Sequence, residues 1–180
     1  MLELFNIPVK ATKPKTHQAV LHRAWILGMI KKPLTTIFME KTFRAEASIL
    51  IHVPIARVWQ ALTAPELIKQ YLFGTEAVSD WQVGSTITYR GTWEGKTYED
   101  KGKILELDPE KHLLTTYWSS FSGLPDAPEN YQTVAYDLSA EKNGTKLTVT
   151  QDNIKTEASR DHSAQNWKKV LENLKSLLEK

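Results

Sequence analysis

Residues 163–180 read SAQNWKKVLENLKSLLEK and carry the clearest structural pattern in the chain. Apolar side chains recur there at helical spacing, with lysines and glutamates between them: Trp167, Val170, Leu171, Leu174, Leu177 and Leu178. A helix of this kind must bury its apolar face against other parts of the fold. The residues before it are rich in predicted strands, and a curved sheet wrapped around one long helix can leave a cavity between the two.

The chain upstream predicts one strand followed by two short helices. TFRAEASILIHV at 42–53 alternates between apolar and polar residues, as half-buried strands do. PIARVWQAL at 54–62 and PELIKQYL at 65–72 have helical spacing, and each begins with a proline, which the first helical turn tolerates. Gly74 is a typical residue for the end of the second helix.

The middle of the chain predicts six more strands separated by turns. Asn143-Gly144 between two alternating runs is a strong hairpin signal. The predicted order is one strand, two helices, six strands and one helix, which indicates an α+β fold with an antiparallel sheet. The predicted strands after the helices are 75–79, 85–93, 96–108, 112–120, 131–139 and 145–153.

Composition and charge narrow the functional classes. The chain has 180 residues and no cysteine, which excludes disulfides, thiolate metal sites and cysteine nucleophiles and agrees with a cytoplasmic location. Residues 1–38 hold six basic side chains and one acidic side chain, whereas the rest holds 17 basic and 20 acidic ones. The basic character therefore belongs to the N-terminal residues, and we predict no nucleic-acid binding.

We expect residues 1–38 to be a basic, disordered extension and residues 39–180 to be the folded domain. The one apolar run of the extension, at 19–30, is split by Arg23 and is too short to span a bilayer, so we predict no integral membrane segment. A basic amphipathic helix lying on a membrane surface is the alternative for this stretch.

No motif identifies a reaction. The five histidines lack the spacing of a helical metal site, and the chain has neither a Gly-x-Ser-x-Gly motif nor a glycine-rich phosphate loop. We therefore predict no metal and no cofactor. Asp100 and Glu106 lie on one predicted strand and could serve as buried general acids or bases if both point inward. A β-bulge or an edge-facing carboxylate is the alternative explanation for that pair.

Aromatic residues are the remaining functional signal. The chain has six tryptophans and six tyrosines, several of them on elements that border the expected interior. Large aromatic side chains often only fill cores, but buried tyrosine hydroxyls need partners, and an apolar cavity with few polar groups is typical of a small-molecule site. The candidate ligand-binding residues are Tyr89, Trp93, Tyr117, Tyr136, Trp167 and Leu171.

Several of these stretches together resemble a known superfamily. FRAEASILIHVPIARVWQALTAPELIKQYLFG resembles the opening of START-like (SRPBCC) proteins, which include the birch-pollen-allergen type. VGSTITYRGTWEG, KGKILELDPEKHLLTTYW, KNGTKLTVTQDN and NWKKVLENLKSLLEK are similar to the branch of homologues of the activator of the 90-kDa heat-shock-protein ATPase. The resemblance covers residues 42–179 and implies a helix-grip fold, in which an antiparallel sheet grips the C-terminal helix around a deep apolar cavity.

The resemblance implies three hypotheses about function. The first is the binding of an apolar ligand (a lipid, a polyketide or a flavonoid-like aromatic molecule) without its transformation. The second is a cyclase or hydrolase acting on a hydrophobic substrate. The third is a module that binds a chaperone or another regulator, which predicts a filled interior and an exposed apolar patch.

Overall fold

The computed structural model describes residues 41–180, and within them one antiparallel sheet packs against helices. The expected α+β class and helix-grip arrangement are confirmed. The helices are α1 (Ile55–Thr63), α2 (Pro65–Tyr71) and α3 (Glu157–Leu178), with one 3-10 turn at Pro128–Asn130. The strands are β1 (Phe43–Ile51), β2 (Glu76–Val78), β3 (Thr86–Trp93), β4 (Lys96–Asp108), β5 (His112–Tyr117), β6 (Gln132–Glu141) and β7 (Gly144–Ile154).

The seven strands are ordered β1-β7-β6-β5-β4-β3-β2, and all neighbours are antiparallel. Strands β2 to β7 follow one another as a meander, whereas β1 pairs with β7 at the opposite edge. Helices α1 and α2 therefore connect the two edges of the sheet. The main core lies between the sheet and the three helices.

The closing helix begins earlier than its apolar pattern predicts. α3 starts at Glu157, and the hydroxyl of Thr156 accepts a hydrogen bond from the backbone N–H of Ser159 at 3.1 Å, as an N-cap does. The first turns are polar and therefore escape a search for apolar periodicity. The predicted apolar face is confirmed, since five of its six members are buried and Leu177 is half-buried.

Hydrogen bonds join the C-terminal end of α3 to the end of β1. Glu179 Oε1 accepts a hydrogen bond from the backbone N–H of His52 at 2.7 Å and lies 2.9 Å from its Nδ1. Lys175 Nζ donates to the carbonyl of Leu50 at 2.8 Å. The N–H of His52 is the main cause of the lowered pKa of Glu179. These contacts hold one wall of the interior in place.

The last hairpin forms one residue earlier than predicted. Glu141 pairs with Gly144, so the two-residue loop is Lys142–Asn143 and Gly144 is the first residue of β7. A Cβ atom on Gly144 would lie 2.1 Å from the carbonyl oxygen of Ile51, and its φ is +148°. Glycine is thus required here by the close approach of β1.

A β-bulge in β4 decides the orientation of the two candidate carboxylates. Ile104 pairs with Thr115 and Glu106 with Leu114, so Leu105 is the extra residue. Asp100, before the bulge, is buried, whereas Glu106, after it, is exposed. The inward orientation considered for Glu106 is wrong, because the bulge shifts the alternation by one residue.

Two expectations concern the N-terminal residues. The disordered extension predicted for residues 1–38 and the start of the domain at residue 39 lie outside the described residues. Within residues 41–180, no helix is long and apolar enough to cross a membrane.

Candidate functional site

A narrow cavity lies between the sheet and the helices. Its volume is about 20 Å³, which is room for roughly one water molecule. Its lining is apolar or aromatic throughout and, among the residues described, includes no charged side chain and no histidine. The lining residues are Leu62, Ile68, Tyr71, Leu72, Trp81, Tyr89, Leu113, Tyr136, Leu147, Trp167, Val170, Leu171 and Leu174.

Four of the six candidate residues named from the sequence meet at this cavity. Tyr89 on β3, Tyr136 on β6, and Trp167 and Leu171 on α3 all belong to its lining. The rings of Tyr136 and Trp167 meet edge to face, with centroids 5.8 Å apart.

Trp93 and Tyr117 lie outside the lining, contrary to the expectation that they border the cavity. Trp93 is half-buried beside the β3–β4 turn, where it pairs with Lys96. Tyr117 is buried at the end of β5 and points to Asp100. Strand alternation predicts the correct face for both residues, but it does not predict their position along the strand.

The Trp167 indole is held in place by a buried amide. Its Nε1–H donates to Gln151 Oε1 at 2.7 Å, and Gln151 is fully buried. The amide nitrogen of Gln151 donates in turn to Gln132 Oε1. Trp167 is therefore a fixed part of the wall, and its polar atom is satisfied by the protein.

Three tyrosine side chains surround the cavity without protein partners for their hydroxyls. These are Tyr71 on α2, Tyr89 and Tyr136, and no hydrogen bond among the described residues involves their hydroxyl oxygens. Burial is the main cause that raises the pKa of all three, and the proximity of Tyr89 raises those of Tyr71 and Tyr136 further. The cavity thus offers neutral hydroxyls that can donate or accept hydrogen bonds.

Trp81 is a lining residue that the sequence analysis did not single out. Its indole Nε1 is buried and has no hydrogen-bond partner. Its φ is +53°, a left-handed conformation that is uncommon for a bulky residue. Trp81 lies in an irregular segment rather than in an alternating strand, so periodicity gives no sign of its role. A tryptophan within a short polar stretch between two strands is the signal that could have identified it.

Serine side chains hold the Trp81 turn. The backbone N–H of Trp81 donates to Ser79 Oγ at 3.1 Å, and the hydroxyls of Ser79 and Ser85 are 3.2 Å apart. Ser85 Oγ also accepts from the backbone N–H of Gln82 at 3.2 Å and donates to its carbonyl at 2.8 Å. This network fixes the backbone conformation that directs the indole into the interior.

A second buried polar cluster, the Asp100 cluster, lies beside the cavity and comprises Asp100, Tyr117, Ser119 and Ser120. The Asp100 carboxylate accepts hydrogen bonds from the hydroxyls of Tyr117 at 2.5 Å, Ser119 at 3.0 Å and Ser120 at 3.1 Å, and from the Ser120 N–H at 2.9 Å. Burial raises the pKa of Asp100, and the hydrogen bonds oppose that rise only in part.

The strand that carries Asp100 makes room for this cluster with a glycine. A Cβ atom on Gly102 would lie 1.9 Å from the carbonyl oxygen of Thr116, so only glycine lets β5 approach β4 this closely. Lys101 and Trp118 continue the pairing beyond β5 with two backbone hydrogen bonds, which fold the next residues over the carboxylate. Asp100 therefore organises the loop after β5.

Charged groups are arranged at the surface rather than in the cavity. His112 Nδ1 lies 2.7 Å from Asp137 and its Nε2 lies 3.7 Å from Glu106, at the start of β5. In residues 41–180, no group of three histidine or carboxylate side chains could hold a metal ion. The cavity lining therefore combines apolar side chains with the hydroxyl groups of Tyr71, Tyr89 and Tyr136.

Comparisons with known proteins agree with this architecture. The family model described as activator of Hsp90 ATPase homolog 1-like protein matches residues 52–179. The solution structure of ChR145 from Cytophaga hutchinsonii is 47% identical, with a TM-score of 0.68, over 76% of this chain and 94% of that chain. No curated protein matches the sequence.

More distant structures share the fold. The Aha1 dimer from Colwellia psychrerythraea is 23% identical, with a TM-score of 0.60, over 76% of this chain and 96% of that chain. MLL2253 from Mesorhizobium loti is 21% identical, with a TM-score of 0.63, over 76% and 97% of the two chains. Because the family model spans most of the sequence, this chain belongs to the family of activator of Hsp90 ATPase homolog 1-like proteins, within the SRPBCC superfamily.

Proposed function

We propose that this protein binds an apolar small molecule in the cavity between the sheet and α3. The observation that carries the proposal is a cavity whose lining, within residues 41–180, has no charged side chain and includes three tyrosines whose hydroxyls make no hydrogen bond to a described residue. A core that serves only for stability pairs its buried polar groups within the protein. An apolar pocket with a few unpaired polar groups is what recognition of a small molecule requires.

The small volume means that a ligand must displace part of the wall. α3 is fastened at its C-terminal end by Glu179 and Lys175, so this wall resists movement. Another part of the lining comes from α2 and the segment that follows it, where Leu72 and Trp81 are only half-buried. We expect the cavity to widen on that side.

The binding energy would come from removing apolar surface from water. Burial of about 300 Å² of ligand surface contributes roughly 7 kcal/mol at 25 cal/mol per Å². Ordering of the ligand and widening of the cavity oppose this gain. The balance is compatible with affinities on the order of micromolar.

The enzyme hypothesis needs a reactive group in the cavity. Within the described residues the lining has no carboxylate, and Asp100 lies outside it with four donors on its oxygens. Glu106 is exposed on the far side of the bulge. Neither carboxylate is placed to act as a general acid or base on a molecule in the cavity.

The test is a ligand screen on the full chain, read by amide chemical shifts, with lipids, polyketides and flavonoids as the library. We expect saturable shifts at lining residues. Val170→Phe fills the cavity and should weaken binding at least tenfold, whereas Val83→Phe makes the same change at an exposed site and should not. Equal affinity of the two folded variants would place the ligand elsewhere, and an absence of shifts with every compound would end the proposal.

A chaperone-binding module is the competing function, and the narrowness of the cavity favours it. Three large exposed apolar side chains also cluster in one segment: Phe73, Val78 and Val83, at 47%, 57% and 63% exposure. The test is a titration of the labelled full chain with a purified 90-kDa heat-shock protein. Shifts confined to residues 73–83 would support this function, and unchanged spectra would remove it.

A further inference from the structure

The indole nitrogen of Trp81 is the least satisfied polar atom at the cavity. Nε1–H can only donate a hydrogen bond, and it is buried with no acceptor in reach among residues 41–180. Buried donors without a partner are rare in proteins, because the lost hydrogen bond to water is not replaced. This atom therefore calls for an acceptor that the described part of the chain does not supply.

Other tryptophans of the chain contrast with Trp81. The Nε1–H of Trp167, in the same cavity wall, donates to Gln151 at 2.7 Å, and that of Trp118 donates to the carbonyl of Pro125 at 3.2 Å. The fold can thus provide acceptors for indole groups. It leaves Trp81 without one at a position that lines the cavity.

The backbone around Trp81 is built to hold that orientation. The residue adopts φ +53°, and its backbone N–H donates to Ser79 Oγ, which in turn is hydrogen-bonded to Ser85 Oγ. Left-handed backbone at a bulky residue costs free energy, and such positions occur preferentially where a ligand is held. Strain and an unpaired donor at one lining residue are two independent observations that point to the same role.

The charge of the cavity limits the chemistry of the acceptor. Within residues 41–180, no lysine, arginine or histidine belongs to the lining, so no described side chain would serve as the counter-ion of a buried carboxylate or phosphate. The surrounding polar atoms are the neutral hydroxyls of Tyr71, Tyr89 and Tyr136. An uncharged oxygen can accept from Trp81 and from a tyrosine without that penalty.

We infer that the ligand is an uncharged apolar molecule bearing a carbonyl oxygen, which accepts a hydrogen bond from Trp81 Nε1–H. This inference rests on the proposed function and specifies the class of molecule at the same site. It predicts discrimination against hydrocarbons, which leave the donor unpaired, and against anionic lipids, which bring an uncompensated charge into the cavity.

Three probes with one skeleton test this inference on the full chain: benzophenone, diphenylmethane and diphenylacetate. Benzophenone should move the Trp81 Nε1–H resonance downfield, and diphenylmethane should not.

Trp81→Phe should weaken benzophenone binding about tenfold, and diphenylmethane binding less than twofold, because it removes one hydrogen bond. Diphenylacetate should bind most weakly at neutral pH. Trp93→Phe, the same change outside the lining, should alter no affinity.

The outcomes separate the two proposals. If benzophenone and diphenylmethane bind, and Trp81→Phe weakens both equally or neither, the carbonyl inference is wrong while ligand binding stands. If the Trp81 resonance shows contact with a trapped water that persists with benzophenone bound, the inference is also wrong. If no probe binds the folded protein, the carbonyl inference fails, and the proposed function is decided separately by the screen of lipids, polyketides and flavonoids. Should Trp81→Phe not fold, the resonance of the unaltered protein still decides.

Discussion

Two polar regions of the interior lie side by side in this protein and differ in whether their polar atoms have hydrogen-bond partners. In the Asp100 cluster the carboxylate accepts hydrogen bonds from Tyr117 at the end of β5 and from Ser119 and Ser120 just after it. At the cavity, the hydroxyls of Tyr71, Tyr89 and Tyr136 and the indole of Trp81 have no protein partner within the described chain. The rings of Tyr89 and Tyr117 are 6.4 Å apart, so the two regions are immediate neighbours.

The comparison separates buried polar groups that stabilise the fold through hydrogen bonds from those that are left without a partner. A satisfied network fixes one conformation, and here it pins a loop onto the sheet. An unsatisfied set of neutral groups does not stabilise the folded state on its own. Under the proposed function these groups gain hydrogen bonds when a ligand enters, so tyrosine would serve both purposes in adjacent positions.

The largest effect should follow from removal of the Asp100 carboxylate. Asp100→Ala leaves the donors of Tyr117, Ser119 and Ser120 unpaired, so we expect the free energy of unfolding to fall by about 3 kcal/mol. Denaturant unfolding measures this loss. Asp126→Ala, which removes an exposed ion pair with Lys101, is the control and should cost less than about 1 kcal/mol. Equal losses in the two variants would contradict the structural role of Asp100.

Removal of a tyrosine hydroxyl should lower stability much more in the Asp100 cluster than at the cavity. Tyr117→Phe removes a hydrogen bond to a buried carboxylate and should cost about 2 kcal/mol of unfolding free energy. Tyr136→Phe removes a hydroxyl without a partner and should change stability by less than about 0.5 kcal/mol. Both are measured by urea unfolding without ligand. A large loss for Tyr136→Phe would mean that its hydroxyl has a structural partner.

The smallest expected effect is a difference in pKa between two carboxyl groups, those of Asp100 and Asp126. Burial raises the pKa of Asp100 above 3.8, whereas the Lys101 hydrogen bond lowers that of Asp126 below it. The folded state therefore holds the Asp100 proton more tightly than the unfolded state, so this group's contribution to stability declines as pH rises above 3.8. For Asp126 the contribution is lost as pH falls below 3.8.

Carbon-13 titration of the carboxyl signals checks this order directly. The Asp100 signal should have its midpoint above that of Asp126. The reverse order would mean that the hydrogen bonds to Asp100 outweigh its burial.

The sequence predicted the framework well because periodic patterns report which face of an element is buried. The spacing of Trp167, Val170 and Leu171 predicted the helix and its buried face, and alternation in β3 placed Tyr89 inward. Alternating runs, helical spacing and turn residues predicted the order of elements, and the family resemblance implied the helix-grip arrangement. These features depend on local chain geometry, which has a fixed period.

The site was predicted less completely, for physical reasons that individual residues illustrate. Trp93 and Tyr117 have the right face but lie beyond the cavity, since a strand is longer than the cavity is wide. The bulge at Leu105 reverses the alternation, and no composition signal marks it. Trp81 depends on a left-handed turn held by serines, which is a tertiary outcome rather than a local preference.

Under the proposed function, the narrowness of the cavity would govern the rate of ligand binding as well as its strength. A molecule larger than a water enters only the wider conformers of the ensemble, so the observed affinity is the intrinsic affinity reduced by their population. Association should then speed up with ligand concentration until widening becomes the slow step. Release passes through the same rare conformers, so the protein would retain its ligand for longer than its equilibrium affinity alone implies.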